Sequence, residues 1–193
     1  MARSKEYDED AVLHKAMQLF WEQGYEKTSV SDLVECMGIH RRSLYDTFSD
    51  KHTLFLKAMD RYADIMNTRL QRGIKQAETA SQAIHFIFKY TIEDREGSSP
   101  MGCLFVNAAI ELAGRDADID SKATKGFATE EQLLSDIIQW GQQDGEFVSD
   151  LDAKDLAEPL LNTLLGLRVM ARTSISKEKL YRIAEISIKA LHK

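Results

Sequence analysis

Proline and glycine are scarce in this chain of 193 residues, at two and ten. Few of its hydrophobic stretches alternate with period two, so a protein built on sheets is excluded. Cysteine is scarcer still in proportion to what it must do in a stapled fold. Cys36 and Cys103 are too few for a disulfide framework and lack metal-ligand spacing, so both are expected as free thiols in a reducing compartment. No apolar run approaches the roughly 18 residues of a membrane span. The start, Met1-Ala2-Arg3-Ser4-Lys5-Glu6, runs into acidic residues rather than an apolar signal region, and a cytoplasmic protein with no membrane partner is expected. The five histidines, His14, His40, His52, His85 and His192, are scattered. No Glu-x-x-His pair, His-Glu-x-x-His motif or Gly-rich phosphate loop occurs, which argues against a di-iron protein, a zinc hydrolase or a nucleotide enzyme. No catalytic residue, metal or cofactor is therefore expected.

What is present is helix-forming sequence. Hydrophobic residues make up 44% of the chain, enough for an ordinary core. Long stretches rich in Ala, Leu, Glu, Lys and Gln favour helix. The expected fold is all-α, with about nine helices: a three-helix N-terminal domain over 1–50 and a larger helical bundle over 51–193. The net charge of −6 conceals a division. Residues 40–75 hold eight Lys/Arg against four Asp/Glu, a net +4, whereas residues 76–160 hold six against seventeen, a net −11. A basic end beside an acidic body suits a protein that meets phosphates at one end only.

Near the N-terminus, Val12, Ala16, Leu19 and Phe20 recur at helical spacing, predicting a helix over 10–23 with Gly24 as a left-handed stop. Ser29 and Asp32 have capping-box spacing ahead of a short helix over 30–37. Gly38 ends it, Ile39 is the expected buried hinge, and a second short helix over 40–48 turns Leu44 and Phe48 inward. Two short helices around a glycine make a helix-turn-helix, whose second helix fits the DNA major groove. Arg41, Arg42, Ser43, Tyr45, Asp46 and Thr47 then face outward. Arginine donates two-pronged bonds to guanine or to phosphate, while Asp46 can only accept, as from cytosine. His40 is expected as a helix cap or a phosphate donor.

Gly24-Tyr25, Thr28-Ser29-Val30, Asp32-Leu33, Gly38-Ile39, Ser43-Leu44-Tyr45, Phe48 and Lys51 with Leu54 stand in one unbroken string from Ala11 to Leu54, about a quarter of the chain. This string resembles the N-terminal signature of TetR-family regulators. The resemblance implies a repressor-like homodimer that binds a palindromic operator in double-stranded DNA and is released by a small-molecule effector. It assigns phosphate contacts to Thr28, Tyr45 and Lys51. With Ser29, Ser31, His40, Arg41, Arg42, Ser43 and Thr47 these complete the expected DNA-binding set. Where family members often carry Ser, Gly and His, this chain has His40, Arg42 and Thr47, departures that bear on which operator is read.

Further helices are expected over 51–74, capped by Ser49 and Asp50, and over 80–94, 101–112, 121–144, 153–172 and 177–192, the last two capped by Asp152 and Ser176. A loop is expected over 96–100. The stretch Gly102-Cys103-Leu104, Asn107-Ala108-Ala109, Glu111-Leu112 resembles one branch of the same family. Phe86, Tyr90, Cys103, Phe105, Asn107, Trp140 and Met170 are candidates for an effector cavity, with plain core as the alternative. Cys103, beside an expected helix start, is either a buried apolar residue or a thiolate sensor of reactive compounds; Cys36 is expected to pack. Leu160, Leu164, Leu167, Ile183 and Ile186 are candidates for a four-helix dimer interface, with Gly166 permitting close approach.

Overall fold

The computed structural model describes residues 7–93 and 102–192. Among them are nine α-helices and no strand: α1 (Glu9–Gln23), α2 (Val30–Met37), α3 (Arg41–Phe48), α4 (Lys51–Ile74), α5 (Ala80–Glu93), α6 (Leu104–Leu112), α7 (Ala117–Gln143), α8 (Ala153–Met170) and α9 (Lys177–Lys189). The loop expected over 96–100 lies outside the described residues, as does Met101. No helix among the described residues is long and apolar enough to cross a membrane.

Caps set most helix starts. Asp8, Asp50, Asp116, Asp152 and Ser176 accept from the first free amides of α1, α4, α7, α8 and α9. The Ser29–Asp32 capping box of α2 is present in both directions. α7 begins four residues before the expected position, because Asp116 and not Ser121 is its cap. α6 begins at Leu104, with Cys103 in the cap position. Gly38 is left-handed, at φ 71° and ψ 34°. Gly24 also has a positive φ of 86°, but its ψ of 172° extends the chain rather than reversing it.

Two hydrophobic clusters fill the interior. One joins α1, α2 and α3 to the first half of α4, to α6 and to the start of α7. The other gathers the end of α4, α5, most of α7, α8 and α9. The boundary expected at residue 50 is not a break in packing, since the first cluster runs across it. In the first cluster Phe20, Leu44 and Phe48 are buried as spacing predicts, with Leu33, Leu54 and Phe55 beside them, and the edge-on Phe20–Phe55 pair, centroids 4.9 Å apart, adds about 1 kcal/mol beyond its area. Leu19 and Ile39, expected inside, are only half-buried.

The helices α8 and α9 correct one expectation. Leu160, Leu164 and Leu167 lie inside the second cluster, at 3%, 0% and 1% exposure, and are spent on the chain's own core. They cannot also form a dimer surface. The apolar surface of α8 and α9 reads in sequence as wider than one helix face can hide, but α7 packs against these leucines within the same chain. Ile183 is half-buried and Ile186 is exposed at 63%. Val169, at 45%, and Gly166, which has nothing within 4 Å of a built Cβ, share the outer face of α8.

Candidate DNA-binding surface and ligand cavity

The helix pair α2–α3 presents a definite face. Ser29 and Ser31 are exposed at the start of α2, and Arg41, Arg42, Tyr45 and Asp46 are exposed on α3. The Arg41 guanidinium lies 5.9 Å from the centre of the Tyr45 ring and 3.5 Å from its hydroxyl. Arg42 and Asp46 form a surface pair at 3.6 Å, with side chains 92% and 69% exposed. Such a pair contributes little, so both remain open to another partner. Ser43 and Thr47 are half-buried on the side where Tyr7 docks: its hydroxyl is 2.6 Å from Thr47 Oγ1 and donates to the Ser43 carbonyl at 3.3 Å. This tie from the N-terminal arm had no sequence signal. His40 occupies the α3 cap position without a side-chain cap bond, so its expected capping role is not realised.

Two expected phosphate ligands are differently placed. Thr28 is wholly buried and its hydroxyl donates to the Gly24 carbonyl at 2.6 Å. With its proton spent inside the turn, Thr28 offers nothing to a phosphate in this arrangement. Lys51 is half-buried, its ammonium 4.2 Å above the Tyr25 ring. Burial lowers the Lys51 pKa, opposed by the charges of Glu26 and Glu111. The Asp32 carboxyl is held low by its bonds from the Ser29 hydroxyl and amide, and Asp50 by those from Thr53. Both acids are therefore ionised near neutral pH.

Behind this face, the Glu111 carboxylate at the end of α6 accepts the amide protons of Tyr25 at 3.0 Å and Glu26 at 2.8 Å. His52 Nε2 lies 2.9 Å from Asp116 Oδ2, and Lys122 pairs with Asp60. His52, Asp116 and Asp118 place their ligand atoms within 4.8 Å of one another. Asp116 is already committed twice, to His52 and as the α7 cap, so the group reads as a joint between α4 and α7.

A cavity of about 910 Å³ opens between α4, α5, α6, α7 and α8. Of the sequence candidates, Tyr90, Cys103 and Phe105 line it, while Phe86, Asn107, Trp140 and Met170 do not. The Phe86 ring packs over Gly73, where a Cβ would come within 1.9 Å. Trp140 packs half-buried against the second cluster and donates to Asp144 at 2.7 Å. Asn107, two residues past Phe105, falls on the other side of α6, and at the end of α8 the wall is formed by Arg168 and the cap residue Ala171 in place of Met170.

The cavity's polar wall was not foreseen. Arg168 and Glu130 make a two-pronged pair, one bond at 2.6 Å, with side chains only 16% and 13% exposed. Burial would lower the Arg168 pKa, but the Glu130 charge outweighs it and the guanidinium stays charged. Beside it, burial and then the neighbouring Cys103 raise the Tyr62 hydroxyl well above its usual range, keeping it a neutral donor. The pair neutralises itself, so the cavity offers a mostly apolar wall with Tyr62, Cys103 and the edge of Arg168 on one side.

Comparison with known proteins bears on both parts. The profile for bacterial regulatory proteins of the tetR family matches residues 12–58, and that for the tetracyclin repressor-like C-terminal domain matches 82–186. The HTH-type transcriptional repressor ComR of Escherichia coli K12 is 32% identical over 97% of this chain and 90% of its own. The HTH-type regulator YezE of Bacillus subtilis is 31% identical over 99% and 100%. Among solved structures, a cysteine mutant of the TetR-family regulator CifR, complexed with a 26-base-pair operator, superimposes with TM-score 0.88 at 27% identity, covering 98% of this chain and 100% of that one.

Because a buried charge left alone costs more than its pair contributes, Arg168→Met is expected to destabilise the chain by about 3 kcal/mol in urea denaturation. Adding Glu130→Leu should restore most of the loss. Equal instability of single and double variants would show that the pair is not what holds this wall.

Proposed function

This chain belongs to the TetR family of bacterial regulatory proteins, and on that premise we propose that it is a transcriptional repressor that reads a palindromic operator as a homodimer. The observation that carries the reading is the exposed Arg41, Arg42 and Tyr45 on a recognition helix whose other face, Leu44 and Phe48, is buried. Such a helix can enter the major groove without losing its own packing. Ser29, Ser31, His40, Tyr45 and Lys51 are assigned to the flanking phosphates, Lys51 after leaving the Tyr25 ring. The structural likeness to CifR, whose cysteine mutants were captured on operator DNA, supports this docking mode.

Dimerisation is assigned to the outer faces of α8 and α9, around Gly166, Val169, Ile183 and Ile186, in place of the leucines expected from sequence. Two such faces related by a twofold axis pack as four helices. The effector is assigned to the cavity, as a largely apolar small molecule. Cys103, only 5% exposed overall but on the cavity wall, is reachable by a reactive compound that enters there.

Selection from random duplex DNA should enrich a palindrome with two equivalent half-sites, bound with a steep salt dependence. Arg41→Ala should weaken binding by about 1–3 kcal/mol and relax preference at one base pair per half-site; uniform loss at every sequence would move Arg41 to a phosphate. The double variant Val169→Glu, Ile186→Glu should sediment as a folded monomer at micromolar concentration, and a persisting dimer would place the interface elsewhere. In a Cys36→Ser background, alkylation of Cys103 should lower operator affinity; unchanged affinity at complete modification would return Cys103 to the core.

A further inference from the structure

The α1–α2 turn is held from outside the reader. Glu111 takes the Tyr25 and Glu26 amides with its two carboxylate oxygens, across 86 and 85 residues of sequence. Gly24 makes the approach possible, since a Cβ there would stand 2.9 Å from Glu111 Oε2. Tyr25 in turn packs against Phe20 of α1 and Phe55 of α4, with ring centroids 6.1 Å and 5.0 Å away, and carries the Lys51 ammonium. One turn of chain is thus fastened to α1, α4 and α6 together. Paired charge-assisted bonds fix an angle as well as a distance, which an apolar contact does not.

α6 is a short rigid element with the cavity at its other end: Cys103 and Phe105 lie in the cavity wall, roughly 12 Å and 9 Å along the axis from Glu111 at the helical rise, with Gly102 just before them. We infer that Glu111 is the positioning residue that fixes the angle at which the reader leaves the body, and thereby the separation of the two recognition helices in the homodimer. This rests on the operator-reading proposal above. Glu111 touches no DNA-facing residue of α3; it acts through the turn.

The test is Glu111→Gln in the full chain, measured on the palindrome selected by the wild type, on a duplex holding a single half-site, and on palindromes lengthened or shortened by one base pair. Glutamine can accept one of the two amides but turns its own amide toward the other. The freed Glu26 amide is at an exposed residue and can take water, so the fold is retained, as a melting temperature will show. Two rigidly spaced half-sites gain from effective concentration, which a loosened joint reduces. Affinity for the palindrome is therefore expected to fall about tenfold, with half-site affinity within about twofold of wild type and the spacing preference flattened. Equal losses on half-site and palindrome, or an unchanged spacing preference, would overturn the inference. If the wild type selects no palindrome, both this inference and the operator reading fall.

Discussion

Three helices of 15, 8 and 8 residues cannot close a hydrophobic core by themselves, and the rest of the architecture follows from that constraint. Leu33, Leu44 and Phe48 find enough apolar partners only because α4 contributes Leu54, Phe55, Ala58 and Met59 to the same cluster, and α6 contributes Leu104, Ala108 and Leu112. The part that faces DNA is packed on elements that also border the cavity. A displacement of α4 or α6 cannot leave α2 and α3 where they were, since close-packed interiors transmit strain instead of absorbing it.

Polar contacts add direction to this packing. Apolar side chains hold the reader against α4 and α6 but permit sliding, whereas the Glu111 carboxylate and the His52–Asp116 contact tie particular points of the reader and α4 to α6 and α7. At the opposite end of α6, the Arg168–Glu130 pair and the neutral Tyr62 hydroxyl give the cavity wall hydrogen-bonding direction beside the thiol of Cys103. On the proposed reading, a small molecule held at that wall would act on the helix whose far end holds the α1–α2 turn.

Local chemistry was legible residue by residue. Ser29 with Asp32, Asp50, Asp152 and Ser176 announced their helices because a cap is a relation among neighbours in sequence, and α2 and α4 begin and end where the pattern places them. The start of α7 was missed because Asp116 caps Asp118 and Ile119 from within a run of acids, where no single residue stands out. The cavity was legible at Tyr90, Cys103 and Phe105 but not at Tyr62, Glu130 and Arg168. Buried charges look like surface charges until their partner is known, and these two lie 38 residues apart. Phe86 and Trp140 were drawn into the cavity by their size, yet Gly73 and Asp144 supply them with nearer partners.

The sequence by itself determined the all-helical class, the helix-turn-helix, the outward Arg41, Arg42 and Tyr45, and the resemblance to TetR-family regulators, since all of these rest on short-range periodicity and fixed intervals. Only the tertiary structure decided which apolar faces are already covered. A stripe of leucines on α8 reads the same whether its partner is α7 of the same chain or α8 of another, and the packing gave Leu160, Leu164 and Leu167 to the chain's own core. It also decided that Thr28 turns inward and that Glu111 reaches the Tyr25 and Glu26 amides, because a hydrogen bond between residues so distant in sequence exists only once the helices between them have been placed.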